Sequence, residues 1–339
     1  MRAWYIFPIV GLGFQNLSAE INEIAPDVAF LSREGLLRIV SELPEHYENF
    51  YTKNKYPVLT DFEFYIAVRC ATSAPTADEY ETAERNAAIA ISQFMFAIFA
   101  DTGYDTCGLA HRIQQPDFGC LAFREDNSMG GLFSRRQAVM FPSQPAANPD
   151  TCDSLIDLVQ NSKLVSPIAQ IVFRWPEAAI VNRKISERIE SASLSLSNAM
   201  YADLPEEAVA RTVTAFEVLL KVNNERDELI QKRLEVLIPG YKENVVSIYR
   251  ARNNWVHEGK SVSKEFARLT IKFGLLALSC FCDLVLRAPS NTNTAVLFTT
   301  IDMQSTVRNH PSPLELKECL SLLDIFNDSS IVLEKVAEL

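Results

Sequence analysis

The sequence predicts an α+β protein: a mixed α/β N-terminal domain over 1–175, an all-α up-and-down bundle over 176–287, and a strand-helix extension over 288–339. Three observations predict it. A chain of 339 residues is long for one hydrophobic core, so two domains are the expectation. Before residue 175, short strand-like apolar runs alternate with stretches of helical periodicity. After it, helical periodicity is nearly continuous and the connections are short, which favours antiparallel neighbours.

Composition narrows the class. At 48% apolar and 22% charged residues the chain can bury substantial cores, which excludes a disordered tail. A net charge of −11 excludes a general affinity for nucleic acid, because phosphates would be repelled over most of the surface. The charge is uneven, however. Residues 240–272 hold seven Lys/Arg against three Asp/Glu, a net of +4, which leaves −15 for the remainder. Seven cysteines without a C-x-x-C pair fit reduced, buried thiols in the cytoplasm better than disulfides or zinc, so no metal and no cofactor are expected.

The first fourteen residues are apolar, but early aromatics, a proline within the run and the lack of a small-residue cleavage site read as a first β-strand, not a signal peptide. Gly11-Leu-Gly13 is too short for a dinucleotide site. Stretches 28–42 and 77–100 have helical periodicity, the second opened by a capping box at Thr76-Ala-Asp-Glu79. Residues 62–68, 119–124 and 137–141 read as strands, and the Gly, Pro and Asn residues of 103–150 as turns and loops. His46, His111, Arg112, Arg135 and Arg136 are the reactive groups of this half. Nothing in their spacing joins a nucleophile, a base and an orienting carboxylate. The N-terminal half is therefore assigned to sensing or partner binding, the entry point for a phage or protein trigger.

Five helices are predicted in the second half, over 182–198, 205–222, 226–237, 241–258 and 261–287. Asp203 is expected as an N-cap ahead of Pro205 and two glutamates, and Pro239-Gly240 separates two helices. The charged runs 184–188 and 225–233 read as solvated helix faces. Residues 269–286 are apolar, but Lys272 and Asp283 interrupt them over barely a membrane's span, so a central bundle helix is predicted and no membrane partner. Beyond Arg287 the composition turns Pro, Ser and Asn rich, then 295–303 reads as a strand and 314–326 as a last helix. Bracing the bundle, joining the N-terminal sheet and pairing with a second subunit are all open to it.

The chemistry concentrates in Ile248-Tyr-Arg-Ala-Arg-Asn-Asn-Trp-Val-His257-Glu-Gly259, which carries one of only four histidines. At about 100° per residue, Arg250, Asn253, Asn254 and His257 share one face of a helix. Val245, Ile248, Tyr249, Arg252, Trp255 and Val256 share another, and Trp255 and Val256 are predicted core. Gly259 is placed to end the helix, leaving His257 in its last turn.

Arg252-Asn253-x-x-x-His257 resembles the Arg-polar-x3-His motif of HEPN domains, helical bundles found in many RNases of toxin, RNA-guided and phage-defence systems. With Arg211-Thr-Val-Thr-Ala-Phe-Glu-Val-Leu-Leu220 upstream and Ile248-Tyr249 ahead of the arginines, the chain is similar to the Apea-like branch of that family. It departs from the branch pattern at the Asn residues after Arg252 and at Glu258, which intervenes before the glycine. The resemblance covers about a third of the chain.

The resemblance implies metal-independent cleavage of single-stranded RNA by its own 2′-hydroxyl, in a defence or toxin setting. Histidine suits proton transfer because it populates both protonation states near neutrality, which makes His257 the expected acid or base. Arg252 offers a planar fork of charged donors for the phosphate, and Asn253 orients the imidazole or the phosphate. Arg250, Asn254 and Lys260 are the expected substrate-binding residues. Because one imidazole serves poorly as both acid and base, the resemblance also implies a homodimer with two motifs facing one groove. Arg252 and His257 are about 140° apart on an ideal helix. Either the helix bends so that Arg252 reaches the phosphate, or Arg252 pairs with a carboxylate such as Glu217 and Arg250 meets the phosphate. Two other functions are open to the same residues: a catalytically silent module that binds RNA or a protein, and a domain modified by a nucleotidyl-transferring partner enzyme.

Overall fold

The computed structural model describes residues 2–9, 21–41, 64–71, 77–102, 120–124, 130–133, 155–174, 181–289, 292–304 and 335. The architecture is α+β, and the chain divides into two compact units. One comprises 1–91 and 110–156, the other 92–109 and 157–339.

The first unit is built on an antiparallel six-stranded sheet of order β2-β3-β4-β1-β5-β6. Its strands are β1 (Arg2–Ile9), β2 (Ile21–Ala25), β3 (Val28–Ser32), β4 (Phe64–Ala71), β5 (Cys120–Arg124) and β6 (Gly130–Phe133). β1 lies between β4 and β5, with Tyr5 opposite Val68 on one side and Ala122 on the other. Consecutive residues Tyr5, Ile6 and Phe7 of β1 and Tyr65 to Val68 of β4 are all buried. Successive strand side chains point to opposite faces, so both faces of the sheet centre are covered. That explains why these strands read as continuous apolar runs. Helix α1 (Arg33–Ser41) follows β3 directly and packs on β3 and β4. The helical periodicity expected over 28–42 thus belongs only to its second part. Val28–Ser32 is a strand whose alanine, phenylalanine and leucine fill the sheet core.

Helix α2 (Ala77–Thr102) has the expected start and runs across the division between the units. Its capping box, the expected strand at 137–141, His46, His111, Arg112, Arg135, Arg136 and the expected helix at 314–326 lie outside the described residues.

The second unit is helical. Besides α2 from Ser92 onward and α3 (Leu155–Asn161) from Asp157 onward, it contains α4 (Ser166–Val172), α5 (Arg183–Met200), α6 (Pro205–Leu220), α7 (Asp227–Leu237), α8 (Lys242–Glu258), α9 (Lys264–Arg287) and α10 (Thr294–Gln304). Asn182 caps α5 by accepting from the Lys184 amide at 3.0 Å, and Ser263 caps α9 by accepting from the Phe266 amide at 3.1 Å. The N-cap of α6 is Leu204, not Asp203, and it makes no side-chain cap bond. Pro205 and two first-turn glutamates supply the start signal instead.

α9 is the central helix, packed against α4, α5, α6 and α7. It is long and apolar enough to cross a membrane, but most of its apolar span is buried in the unit. Each fully buried Leu or Phe contributes about 1.5–3 kcal/mol, and Leu275, Leu276 and Phe281 are of this kind. Cys280 and Cys282 are free and buried, and burial pushes the Cys280 thiol up to about 12 and the Cys282 thiol well above its ordinary range. Gly274 lets α9 approach its neighbours closely. A Cβ there would lie 2.6 Å from Leu196 Cδ1 and 2.8 Å from Thr212 Cγ2. Gly274→Ala should therefore lower stability by about 1 kcal/mol net, overpacking outweighing the helix-propensity gain. A drop in urea midpoint at unchanged slope would register it, and an increase would contradict the close packing.

One expected assignment is corrected in the C-terminal part. The residues expected as a strand over 295–303 form helix α10, with Val296, Leu297, Phe298 and Ile301 buried. β-branched composition suggested a strand, but tertiary contacts override propensity here. The described residues of 288–339 fall in the helical unit, which takes up the chain from 157 onward.

The ties are ionic. Arg233 of α7 is 1% exposed, and its five N–H donors are all engaged. Nε donates to Asp302 Oδ1 at 2.7 Å and Nη2 to Asp302 Oδ2 at 2.9 Å. Nη1 donates to Glu225 Oε2 at 2.6 Å and the Leu220 carbonyl at 2.5 Å, while Nη2 also reaches Glu225 Oε1 at 3.0 Å. Burial opposes its charge, but the two carboxylates outweigh burial and raise its pKa. Phe298 of α10 lies under Arg233 and Arg188, with centroids 5.0 and 5.3 Å from the guanidinium carbons. The expected solvated runs are thus partly interior: Arg233 is core, and Arg188 donates to the carbonyls of Val218 and Lys221 at the end of α6. At Lys335 the ammonium is buried, donating to the Lys163 carbonyl at 2.7 Å and Ser279 Oγ at 2.8 Å and pairing with Asp283 at 2.8 Å.

Candidate functional site

Helix α8 presents the candidate site. Val245, Ile248 and Tyr249 form its buried stripe, and the helix packs on α6 and α7. It continues unbroken to Glu258, where Gly259 takes a left-handed φ of 65°. The Gly259 amide donates to the Trp255 carbonyl at 3.0 Å and the Lys260 amide to the Asn254 carbonyl at 3.4 Å. A glycine carries this conformation without the Cβ penalty, so the helix ends where the sequence placed its end. The loop that follows is pinned by α6: Glu206 Oε1 accepts from the Val262 amide at 2.8 Å.

The predicted site residues fall into two groups. Arg250 and His257 are exposed, and Asn254 is half-buried. Helical spacing sets Arg250 and His257 on one side of α8, His257 in the last turn. Arg250 has no ion pair among the described residues. The end of α8 carries the negative pole of the helix dipole, which disfavours an anion by about 0.3–1 kcal/mol, so any phosphate there needs cations beside it. Lys260 is exposed, but its ammonium lies 2.5 Å from Glu258 Oε2. That hydrogen bond is the main reason the Glu258 carboxyl is held below its usual range. Much of the Lys260 charge is therefore already answered.

Arg252 and Asn253 form the second group. Arg252 lies on the side of α8 that meets α6, where Nη2 is 3.6 Å from Glu217 Oε1 and Nη1 donates to Asn253 Oδ1 at 2.8 Å. The two charged side chains keep 30% and 24% exposure. This is the Glu217 pairing that one of the two sequence-based alternatives expects, and α8 has no break that would swing Arg252 toward His257. By helical spacing the two residues sit about 140° apart around the axis. Arg252 also differs from Arg233: one hydrogen bond and one longer ion pair, against a fully engaged fork.

Beneath this pair, the Tyr249 hydroxyl is buried with no hydrogen-bond partner among the described residues. Burial, then the nearby Glu217 and Asp227, push its phenol pKa up, while Arg252 acts in the opposite sense.

Two side chains predicted as core differ. Val256 is 54% exposed and Trp255 is only half-buried. Both follow the apolar stripe, but the stripe outlasts the packing available at the end of α8. Glu206 is a residue that sequence reasoning missed: its position in a first helical turn suggested a dipole partner, not a loop anchor. Among the described residues, no cluster of three or more His, Cys, Asp or Glu side chains is placed to hold a metal ion.

No protein-family model, curated protein or solved structure matches this chain.

Proposed function

We propose that the helical unit is a HEPN-like, metal-independent endoribonuclease acting on single-stranded RNA in the cytoplasm, in a phage-defence or toxin role. The observation that carries this reading is the end of α8, where an exposed His257 shares a helix face with Arg250, an exposed cation with no ion pair among the described residues. In the proposed reaction the ribose 2′-hydroxyl attacks the adjacent phosphorus and the bond to the 5′-oxygen breaks. The products are a 2′,3′-cyclic phosphate and a 5′-hydroxyl. His257 moves a proton at one of those two oxygens, and arginine stabilises the charge that builds on the phosphorus oxygens. A second copy of the chain supplies the second imidazole, and the sheet unit receives the trigger.

Purified protein incubated with total RNA in EDTA should yield fragments ending in 2′,3′-cyclic phosphate. Intact RNA even with a candidate phage or protein trigger present, or ends of another kind, would exclude this chemistry.

A second reading has its own support. Arg252 faces Glu217 and not the His257 side, which favours a catalytically silent module that binds RNA or a protein. RNA retention without cleavage, with Arg250→Gln weakening it, would select that reading.

A further inference from the structure

We infer that Glu217 is a resident counter-ion of Arg252, occupying the place of a ligand phosphate and setting how strongly the guanidinium binds an anion. The inference rests on the reading of α8 as a phosphate-binding helix, and it concerns control of its Arg252 side by a residue of a different helix.

The geometry separates this ion pair from a structural one. Arg233 meets its carboxylates at 2.6–3.0 Å with every donor engaged and 1% of the residue exposed. Arg252 meets Glu217 at 3.6 Å, beyond hydrogen-bond contact, and a third of its side chain faces solvent. The first arrangement fixes a fold. The second holds a charge loosely, at a place an anion can reach.

Asn253 completes the device. By accepting from Nη1 at 2.8 Å it keeps the fork turned along α8, while Glu217 balances the charge from α6. Nε and the remaining N–H groups of Arg252 have no hydrogen-bond partner among the described residues, Nη2 having only the longer ion pair to Glu217, so a phosphate has donors to meet. It must either displace Glu217 or share the guanidinium with a like charge. At separations of about 4–6 Å in solvent, that repulsion lowers anion affinity about three- to tenfold. Glu217 therefore acts as a threshold: a single phosphate competes poorly, and a strand that brings several competes well.

The charge-only variant Glu217→Gln keeps the size and the acceptor oxygen, and Glu217→Asp keeps the charge. Sulfate is titrated into wild type and both variants, and protection of Arg252 from phenylglyoxal is mapped by peptide mass. The sulfate concentration giving half-protection should fall about three- to tenfold in Glu217→Gln and stay close to wild type in Glu217→Asp. Equal midpoints in wild type and Glu217→Gln, a rise in Glu217→Gln, or no protection of Arg252 in any of them would each overturn the inference. RNA cleavage is assayed in parallel. A shifted midpoint with no cleavage retains the counter-ion and removes the nuclease. Cleavage with an unshifted midpoint does the reverse.

Discussion

Asp302→Ala should destabilise the helical unit by about 3–5 kcal/mol, because it strands a buried guanidinium. Arg233 would lose two of its five hydrogen bonds, the 2.7 and 2.9 Å contacts, in a place where water cannot replace them. Glu225 would remain, so the charge is halfway paired and stays costly. The melting temperature should fall by about 2–4 °C per kcal/mol for a unit of this size. The partner experiment fixes the cause. Replacing Arg233 and Asp302 with apolar residues of similar volume, together with Glu225→Gln so that no carboxylate is stranded in turn, should recover much of the loss, since a buried ionic group removed whole is often near neutral. If that triple variant is as unstable as the sum of the singles, the loss comes from packing around Phe298 and not from a stranded charge.

His257→Ala should reduce RNA cleavage by about 10²–10⁴-fold, the usual contribution of a positioned general acid or base. The structure makes this a clean comparison, because His257 is exposed in the last turn of α8 and touches no core. Stability should change by less than about 0.5 kcal/mol. A variant that melts like wild type and does not cut places proton transfer at His257. One that melts like wild type and cuts equally well moves the chemistry elsewhere in the chain.

Much of the helical unit was legible because its elements carry both periodicity and punctuation. The predicted stretches 205–222, 226–237 and 241–258 differ from α6, α7 and α8 by two residues or fewer at either end. Pro205, Pro239-Gly240 and Gly259 mark those limits by rules that are local in sequence. Asn182 and Ser263 cap by the same local logic. What could not be read was long-range. The segment 294–304 is rich in β-branched residues, and the partner that lets its Asp302 be buried, Arg233, lies far earlier in the chain. Strand β2 and the glycine pair of β6 carry little signal of their own; each is defined by its neighbour in the sheet. The site divides in the same way. The end of α8 and its glycine were evident from spacing. Which arginine faces solvent depended on where α6 lies, and no pattern within α8 contains that.

Helix α6 holds both ends of the α8 motif. Its first turn anchors the loop after His257 through Glu206 and Val262, and its last turn meets Arg252 through Glu217. One helix therefore touches the chain on both sides of the motif, at the loop five residues beyond His257 and at the charge beside Arg252. The two groups look in different directions from α8, yet both have α6 as a neighbour. A displacement of α6 would alter the surroundings of both together.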